Sequence, residues 1–273
     1  MSHKQDLNAD GRKFLCFSGS ALEIASAICY HTEEKEGESS VMKKEYTGKK
    51  FSILADSIST FKGCNPEGYN VFYDGEKIAE TGVATAEDTW WSKVISYFGG
   101  TLLVNNSWSG SRVTRLPDSD TLFPSGCSDE RTGGLSAFGD SPEVILVWLV
   151  TNDMLAGAVP RFDPEAGADP TLCFDTAYET MLRKLTENYP KAKIVCFTAA
   201  FGCRKCDPSF VQEHPRERVE KYNAVIREKA EQFGFPVVEL FDERKKYDSI
   251  DGYHPTADGM KTLAENIIKE MLG

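Results

Sequence analysis

Residues 144–150 read Val-Ile-Leu-Val-Trp-Leu-Val, and Thr-Asn-Asp follows at once at residues 151–153. An unbroken apolar run of this length, rich in β-branched side chains, is typical of a strand buried on both faces of a sheet. Similar short runs occupy residues 51–55, 101–105, 193–199 and 236–241. Together the runs predict a sheet of five strands.

Amphipathic segments with helical spacing separate these strands. The apolar stripes of four predicted helices are Trp91, Val94, Ile95 and Phe98; Phe174, Tyr178, Met181, Leu182 and Leu185; Val219, Tyr222, Ile226, Ala230 and Phe233; and Met260, Leu263, Ala264, Ile267, Ile268 and Met271. Because strand and helix alternate, we expect a parallel sheet with helices on both faces. Right-handed crossovers then give a three-layer α/β/α sandwich.

Composition narrows the classes of partner. The chain of 273 residues carries 31 basic and 42 acidic side chains, for a net charge of −11. Nucleic-acid binders and proteins that bind anionic membranes usually present a basic face, so we expect neither partner. No apolar run approaches the roughly 20 residues of a membrane helix, and the N-terminus does not resemble a signal peptide, which predicts a cytoplasmic protein. The eight cysteines are scattered and do not indicate a disulfide framework.

The N-terminal part differs in composition from the rest. Residues 33–50 form a mixed-charge tract with little apolar surface to bury, which is typical of a linker. We therefore divide the chain into an appendage and linker at residues 1–50 and a main α/β domain at residues 51–273. Cys16 and Cys29 give the appendage a faint similarity to a zinc ribbon, but most of the paired cysteines are missing, so no bound zinc is predicted.

A candidate nucleophile follows the first strand. Ser57 stands at a predicted strand-to-helix turn, at the sheet edge where ligands bind in such folds. A serine hydroxyl needs a base within hydrogen-bond reach. The chain has four histidines: His3, His31, His214 and His254. The first two lie in the appendage and the third in a loop, whereas His254 precedes the last predicted helix. Asp251, three residues earlier, can orient its imidazole.

Two later strand ends carry hydrogen-bond donors. Gly110 follows the second strand and permits a close approach of its backbone N–H, and Asn152 follows the third strand with a side-chain amide. With the backbone N–H of Ser57, these groups predict a three-donor oxyanion hole.

These blocks resemble the SGNH (GDSL-type) hydrolase superfamily. Residues 55–57, 105–110, 150–153 and 251–255 are similar to its Ser, Gly, Asn and His blocks, in the same order. The resemblance covers the chain from about residue 51 onward. It departs at Ala55 and Val150, where the family usually has glycine.

The resemblance implies a flavodoxin-like sandwich and hydrolysis of esters or thioesters through an acyl-serine. It implies no metal and no cofactor, and a small-molecule ester as the substrate. Short acyl groups, including acetyl groups on carbohydrate, are the favoured substrate class. The alternatives are a lipase or thioesterase of longer acyl chains, and a non-catalytic domain that binds carbohydrate or another ligand on the same fold.

Each candidate residue also has a structural interpretation. Ser57 could cap a helix, and Asn152 could close a turn. Trp108 could form a wall for substrate or the edge of the core. Arg112 and Arg131 could each bind a polar substrate or pair with the acidic residues of their own loop, Asp129 and Glu130. Cys203 and Cys206 form a single Cys-x-x-Cys, for which metal or redox chemistry is the weaker interpretation.

Overall fold

The computed structural model describes residues 43–115, 124–166, 169–200, 202–204 and 216–273. Its main sheet has five strands in the order β2-β1-β3-β4-β6, and all neighbouring pairs are parallel. The strands are β1 (Lys50–Ala55), β2 (Thr101–Ser107), β3 (Val144–Trp148), β4 (Lys193–Phe197) and β6 (Val237–Val238). The predicted five-stranded parallel sheet is confirmed.

Helices form the layers on either side of the sheet. They include α1 (Glu76–Thr81), α2 (Trp90–Tyr97), α3 (Asp129–Gly133), α4 (Thr151–Ala156), α5 (Phe174–Asn188), α6 (Arg216–Phe233) and α7 (Ala257–Leu272). Helix α2 packs on α7, and α5 packs on α6. Their apolar stripes are buried as the spacing predicts, except for the half-buried Phe233 and Ile268, which gives the three-layer α/β/α sandwich.

Three of the five strands, β3, β4 and β6, are shorter than the apolar runs that predict them. Strand β3 ends at Trp148 because α4 begins at Thr151, and Val150 is already the residue before that helix. The run at residues 236–241 contributes only the two residues of the edge strand β6, and Leu240 N then donates to the Thr198 hydroxyl at 2.8 Å. Apolar side chains therefore stay buried beyond the point where strand pairing stops.

A second, two-stranded sheet has no counterpart in the sequence pattern. It pairs β5 (Gly202–Arg204) with β7 (Tyr247–Ser249) in parallel. A Cβ at residue 202 would overlap the carbonyl group of Gly252, so the close approach requires glycine there. This small sheet supports the loop from which the candidate base projects.

The core extends into the predicted linker. Tyr46 is 1% exposed and packs against Phe98, with 5.1 Å between the ring centroids. Glu45 forms an ion pair with Lys193, and Lys50 is the first residue of β1. The chain therefore joins the domain before the predicted boundary at residue 50. Residues 1–42, including the ribbon-like cysteines, lie outside the described residues.

Candidate active site

Ser57 lies at the carboxyl end of β1, next to the middle of the sheet. It begins a single 3₁₀ turn, Ser57–Ser59, which Asp56 caps by accepting a hydrogen bond from Ile58 N at 3.1 Å. The Ser57 hydroxyl is 2.8 Å from His254 Nε2, and His254 Nδ1 is 2.6 Å from Asp251 Oδ2. The structure thus brings the three residues predicted for nucleophilic chemistry into one hydrogen-bonded line.

The loop that carries His254 is held by its own aspartate. Asp251 Oδ1 accepts from the backbone N–H groups of Tyr253 and His254, at 3.0 and 2.8 Å. Burial raises the pKa of Asp251, but the hydrogen bond and charge of His254 outweigh burial and lower that pKa to about 2. Asp251 is therefore an anion at neutral pH, which favours the tautomer with the proton on Nδ1 and leaves Nε2 to accept a proton.

An aromatic ring fixes the plane of the imidazole. Phe72 stacks on His254 with 3.6 Å between centroids and an angle of 6° between the ring planes. Its backbone N–H donates to the Thr60 hydroxyl at 2.9 Å, and that hydroxyl donates to the Ser57 carbonyl at 2.9 Å. No pattern in the sequence points to Phe72, because a single aromatic residue in an irregular loop carries no periodic signal.

The two predicted oxyanion donors outside the Ser57 turn lie on segments that a hydrogen bond connects. Gly110 has a φ of +84°, a backbone conformation that favours glycine, and a Cβ there would meet no atom within 4 Å. Glycine is thus required by conformation and not by space. Asn152 Nδ2 donates to the Ser111 carbonyl at 2.9 Å. An amide nitrogen carries two hydrogens, so one remains beyond this bond.

Comparison with known proteins gives the same assignment of fold and family. The model of the family described as GDSL-like Lipase/Acylhydrolase matches residues 49–271. The chain belongs to this family. It is accordingly a hydrolase by class. Comparison with curated proteins found no match.

Several solved structures share the fold of this chain. A structure described as a GDSL-like lipase, from Bacteroides uniformis, is 28% identical in sequence to this chain. Its TM-score is 0.60, and the match covers 81% of this chain and 94% of that one. A second, from Bacteroides ovatus, is 24% identical with the same TM-score over 81% and 96%. The carbohydrate acetylesterase Est24 from Sinorhizobium meliloti is 13% identical, with a TM-score of 0.51 over 81% and 97%.

The two departures from the family blocks fit the backbone without strain. Ala55 is the last residue of β1 and pairs with Ser107 on one side and Trp148 on the other. Val150 has a φ of −164°, an extended conformation that any residue adopts. Neither position needs a positive φ, so the family glycines are dispensable here.

A buried carboxylate organises the long loop after β2. Asp153 is completely buried, and its two oxygens accept from Val113 N at 2.8 Å and Thr114 N at 2.9 Å. Burial raises the pKa of this carboxyl group, and the two backbone donors partly offset that effect. Asp153 belongs to the same family block as Asn152, so one short segment both anchors the loop and presents the amide.

Of the two predicted substrate-binding residues, Trp108 is buried and Arg112 is half-buried. Trp108 is 8% exposed and lies under Tyr69, with ring centroids 4.0 Å apart. This position favours the interpretation of Trp108 as the edge of the core and makes Tyr69 the outer ring. Arg112 donates to the Arg115 carbonyl at 3.4 Å, which is a contact within the loop.

Of the predicted Cys-x-x-Cys pair, the structure describes only Cys203. Cys203 lies in β5 and contacts the Tyr247 carbonyl, whereas Cys206 and His214 lie outside the described residues. Within the described ranges, no three His, Cys, Asp or Glu side chains cluster as metal ligands would. Across those same ranges, we find no helix with the length and apolarity needed to span a membrane.

Proposed function

We propose that the protein is a serine esterase that hydrolyses carboxylic esters through an acyl-serine intermediate. The observation that carries the proposal is the hydrogen-bonded line from Asp251 through His254 to Ser57, with distances of 2.6 and 2.8 Å. A serine hydroxyl becomes an effective nucleophile when a base within this reach takes its proton. Membership of an acylhydrolase family supports the same class of reaction.

The first half-reaction forms the acyl-enzyme. Ser57 Oγ attacks the carbonyl carbon of the ester while His254 Nε2 accepts the hydroxyl proton. The anionic Asp251 stabilises the imidazolium through Nδ1–H. The oxyanion is bound by the backbone N–H groups of Ser57 and Gly110 and by the Asn152 amide. When the tetrahedral intermediate collapses, the bond to the alcohol breaks and the alcohol leaves with the proton from His254.

The second half-reaction repeats these steps with water. His254 takes a proton from a water molecule, whose oxygen attacks the acyl carbon. The bond to Ser57 Oγ then breaks, and the serine recovers its proton from His254. The carboxylic acid is released, and every group returns to its starting state.

Short acyl chains, acetyl groups on carbohydrate included, are the substrates that we propose. Ser57 is only 7% exposed, and Tyr69 and Trp108 stack beside the loop of the proposed oxyanion hole. A nucleophile this enclosed favours a small acyl group over a long chain. Rates for p-nitrophenyl acetate and for p-nitrophenyl esters of octanoate and palmitate would separate this proposal from a lipase or long-chain thioesterase. A faster rate for the long esters would overturn it.

The reaction class is tested with a fluorophosphonate probe and with hydrolysis of p-nitrophenyl acetate. We expect the wild type to be labelled and active, and Ser57→Ala to lose labelling and about a thousandfold or more in kcat. Ser59→Ala is the matched control, because Ser59 lies in the same turn but its hydroxyl accepts from Trp90 Nε1 at 3.2 Å. Labelling or turnover that persists in Ser57→Ala would contradict the assigned nucleophile. A wild type that is neither labelled nor active would favour the non-catalytic binding domain.

A further inference from the structure

One arginine is buried beside the proposed active site. Arg131, in the short helix α3, is completely buried, although the sequence suggests that it pairs with acids of its own loop. Asp129 instead pairs with Lys184 at 2.7 Å. Among the residues that the structure describes, no carboxylate is in ion-pair contact with Arg131. Burial lowers the pKa of its guanidinium to about 10, so the side chain still carries its charge at neutral pH.

Every donor of this guanidinium is occupied. An arginine has five N–H groups. The acceptors are Asn106 Oδ1 at 2.7 Å, Ser111 Oγ at 2.7 Å, the Pro124 carbonyl at 3.4 Å, the Ala55 carbonyl at 3.1 Å and the Asn106 carbonyl at 2.9 Å. With five bonds made, Arg131 has no donor left for a substrate, and any effect on the reaction passes through its neighbours.

These acceptors belong to the two segments whose separation matters for the reaction, the end of β1 before Ser57 and the loop that carries Gly110. The Ala55 carbonyl ends β1, two residues before Ser57. Ser111 directly follows Gly110, and its carbonyl accepts from Asn152 Nδ2 at 2.9 Å. Ala55 O also accepts from Trp108 N at 3.2 Å. The planar guanidinium therefore joins the turn of the nucleophile to the loop of the oxyanion donors.

We propose that Arg131 is a positioning residue, which fixes the separation between the Ser57 turn and the Gly110 loop so that the oxyanion donors are preorganised. This inference rests on the proposed esterase function. Preorganised donors need no rearrangement as charge develops, and they act on the transition state more than on the bound substrate. Loosening this link should therefore lower kcat and leave KM nearly unchanged.

Arg131→Lys keeps the charge but loses the planar fork. A misplacement of the site of about 1 Å costs about a hundredfold in rate, so we expect kcat for p-nitrophenyl acetate to fall about that much, with KM within about twofold of the wild type. Arg227→Lys is the matched control. Arg227 lies on α6, outside the site, and forms an ion pair with Glu239 at 2.7 Å. In Arg131→Ala, added guanidinium ion should restore part of kcat, which it should not do for Arg227→Ala.

Ser111→Ala tests the same link if the Arg131 variants fail to fold. It removes one buried acceptor of Arg131 in the Gly110 loop and leaves the arginine in place. We expect kcat to fall about tenfold, and the effect to be less than multiplicative with Arg131→Lys, because both substitutions break one contact.

Three results would overturn the inference. The first is wild-type kcat in Ser111→Ala. The second is an Arg131→Lys that behaves like Arg227→Lys. The third is a rise of KM with kcat unchanged. In each of these cases the wild type still shows hydrolysis that depends on Ser57, so the esterase proposal stands. Absence of that hydrolysis in the wild type removes both proposals together.

Discussion

Substitution of Asn152 separates the proposed oxyanion donor from an ordinary turn residue. In the structure Asn152 Nδ2 donates to the Ser111 carbonyl at 2.9 Å, and the second hydrogen on the same nitrogen is the proposed donor to the oxyanion. Asn152→Ala removes both hydrogens at once. The first loss acts on the stability of the fold, and the second acts on the transition state.

The two losses differ in size. The bond to Ser111 lies in a half-buried position and contributes about 1 kcal/mol to the free energy of unfolding. For a domain of this size that loss lowers Tm by about 2–4 °C. An oxyanion donor contributes about 3 kcal/mol in the transition state, and at 1.36 kcal/mol for each factor of ten its loss lowers kcat about 150-fold. A turn residue would show only the first effect.

Steady-state hydrolysis of p-nitrophenyl acetate and thermal unfolding measure the two effects on one preparation. Asn152→Asp is the informative companion, since it keeps the shape of the side chain, removes the donor and places a negative charge where the oxyanion forms. We expect its kcat to fall further than that of Asn152→Ala. If Asn152→Ala keeps kcat within about threefold of the wild type while Tm falls as expected, the assigned donor role is refuted.

Two further predictions concern stability. Burial raises the pKa of Asp56 from 3.8 to about 6, so its folded form retains the proton longer than the unfolded chain does. Its contribution to stability is fully present below about pH 4 and is lost as pH rises through about 6; it amounts to about 3 kcal/mol at 1.36 kcal/mol per pKa unit. Denaturant unfolding should show the wild type losing that amount relative to Asp56→Asn between these limits, and parallel pH curves would contradict the assignment. Gly259→Ala should lower the free energy of unfolding by about 2–3 kcal/mol, because the new Cβ would overlap the Asp248 carbonyl. Gly133→Ala is the control and should leave the free energy of unfolding nearly unchanged, because its new Cβ would meet only Asn188 Nδ2, at 4.0 Å. Equal stability of the two variants would refute the packing argument.

The residues that sequence reasoning found share one property. Ser57, Gly110 and Asn152 each follow a strand within four residues, and His254 stands three residues before the amphipathic helix α7. Because carboxyl ends of parallel strands meet at one edge of a sheet, their order along the chain was enough to predict that they converge. The departures at Ala55 and Val150 could not be judged in advance, since only the backbone dihedrals show that glycine is unnecessary.

The residues that sequence reasoning missed or misjudged depend on contacts between distant loops. Phe72 reaches His254 from an irregular segment with no periodicity. Arg131 lies among charged neighbours, and a run of charged residues is usually exposed to solvent. It is nevertheless buried, because carbonyl groups at the ends of β1 and β2 accept hydrogen bonds from its guanidinium. Tyr46 was assigned to a linker because its flanking charges lower the mean hydropathy of that tract. Local composition does not show which single side chain turns inward.

The candidate nucleophile and its base are 197 residues apart along the chain, although their side chains touch. The turn of Ser57 follows the first strand of the sheet, whereas His254 arrives with the small β5–β7 sheet and the start of α7. We expect this contact to form late in folding, because the entropic cost of closing so long a stretch of chain is recovered only by contacts that form afterwards. Return of esterase turnover after dilution from denaturant would therefore time the last docking step, while circular dichroism would time the sheet and helices that precede it. In this protein, the rate at which activity returns would report the rate at which folding is completed.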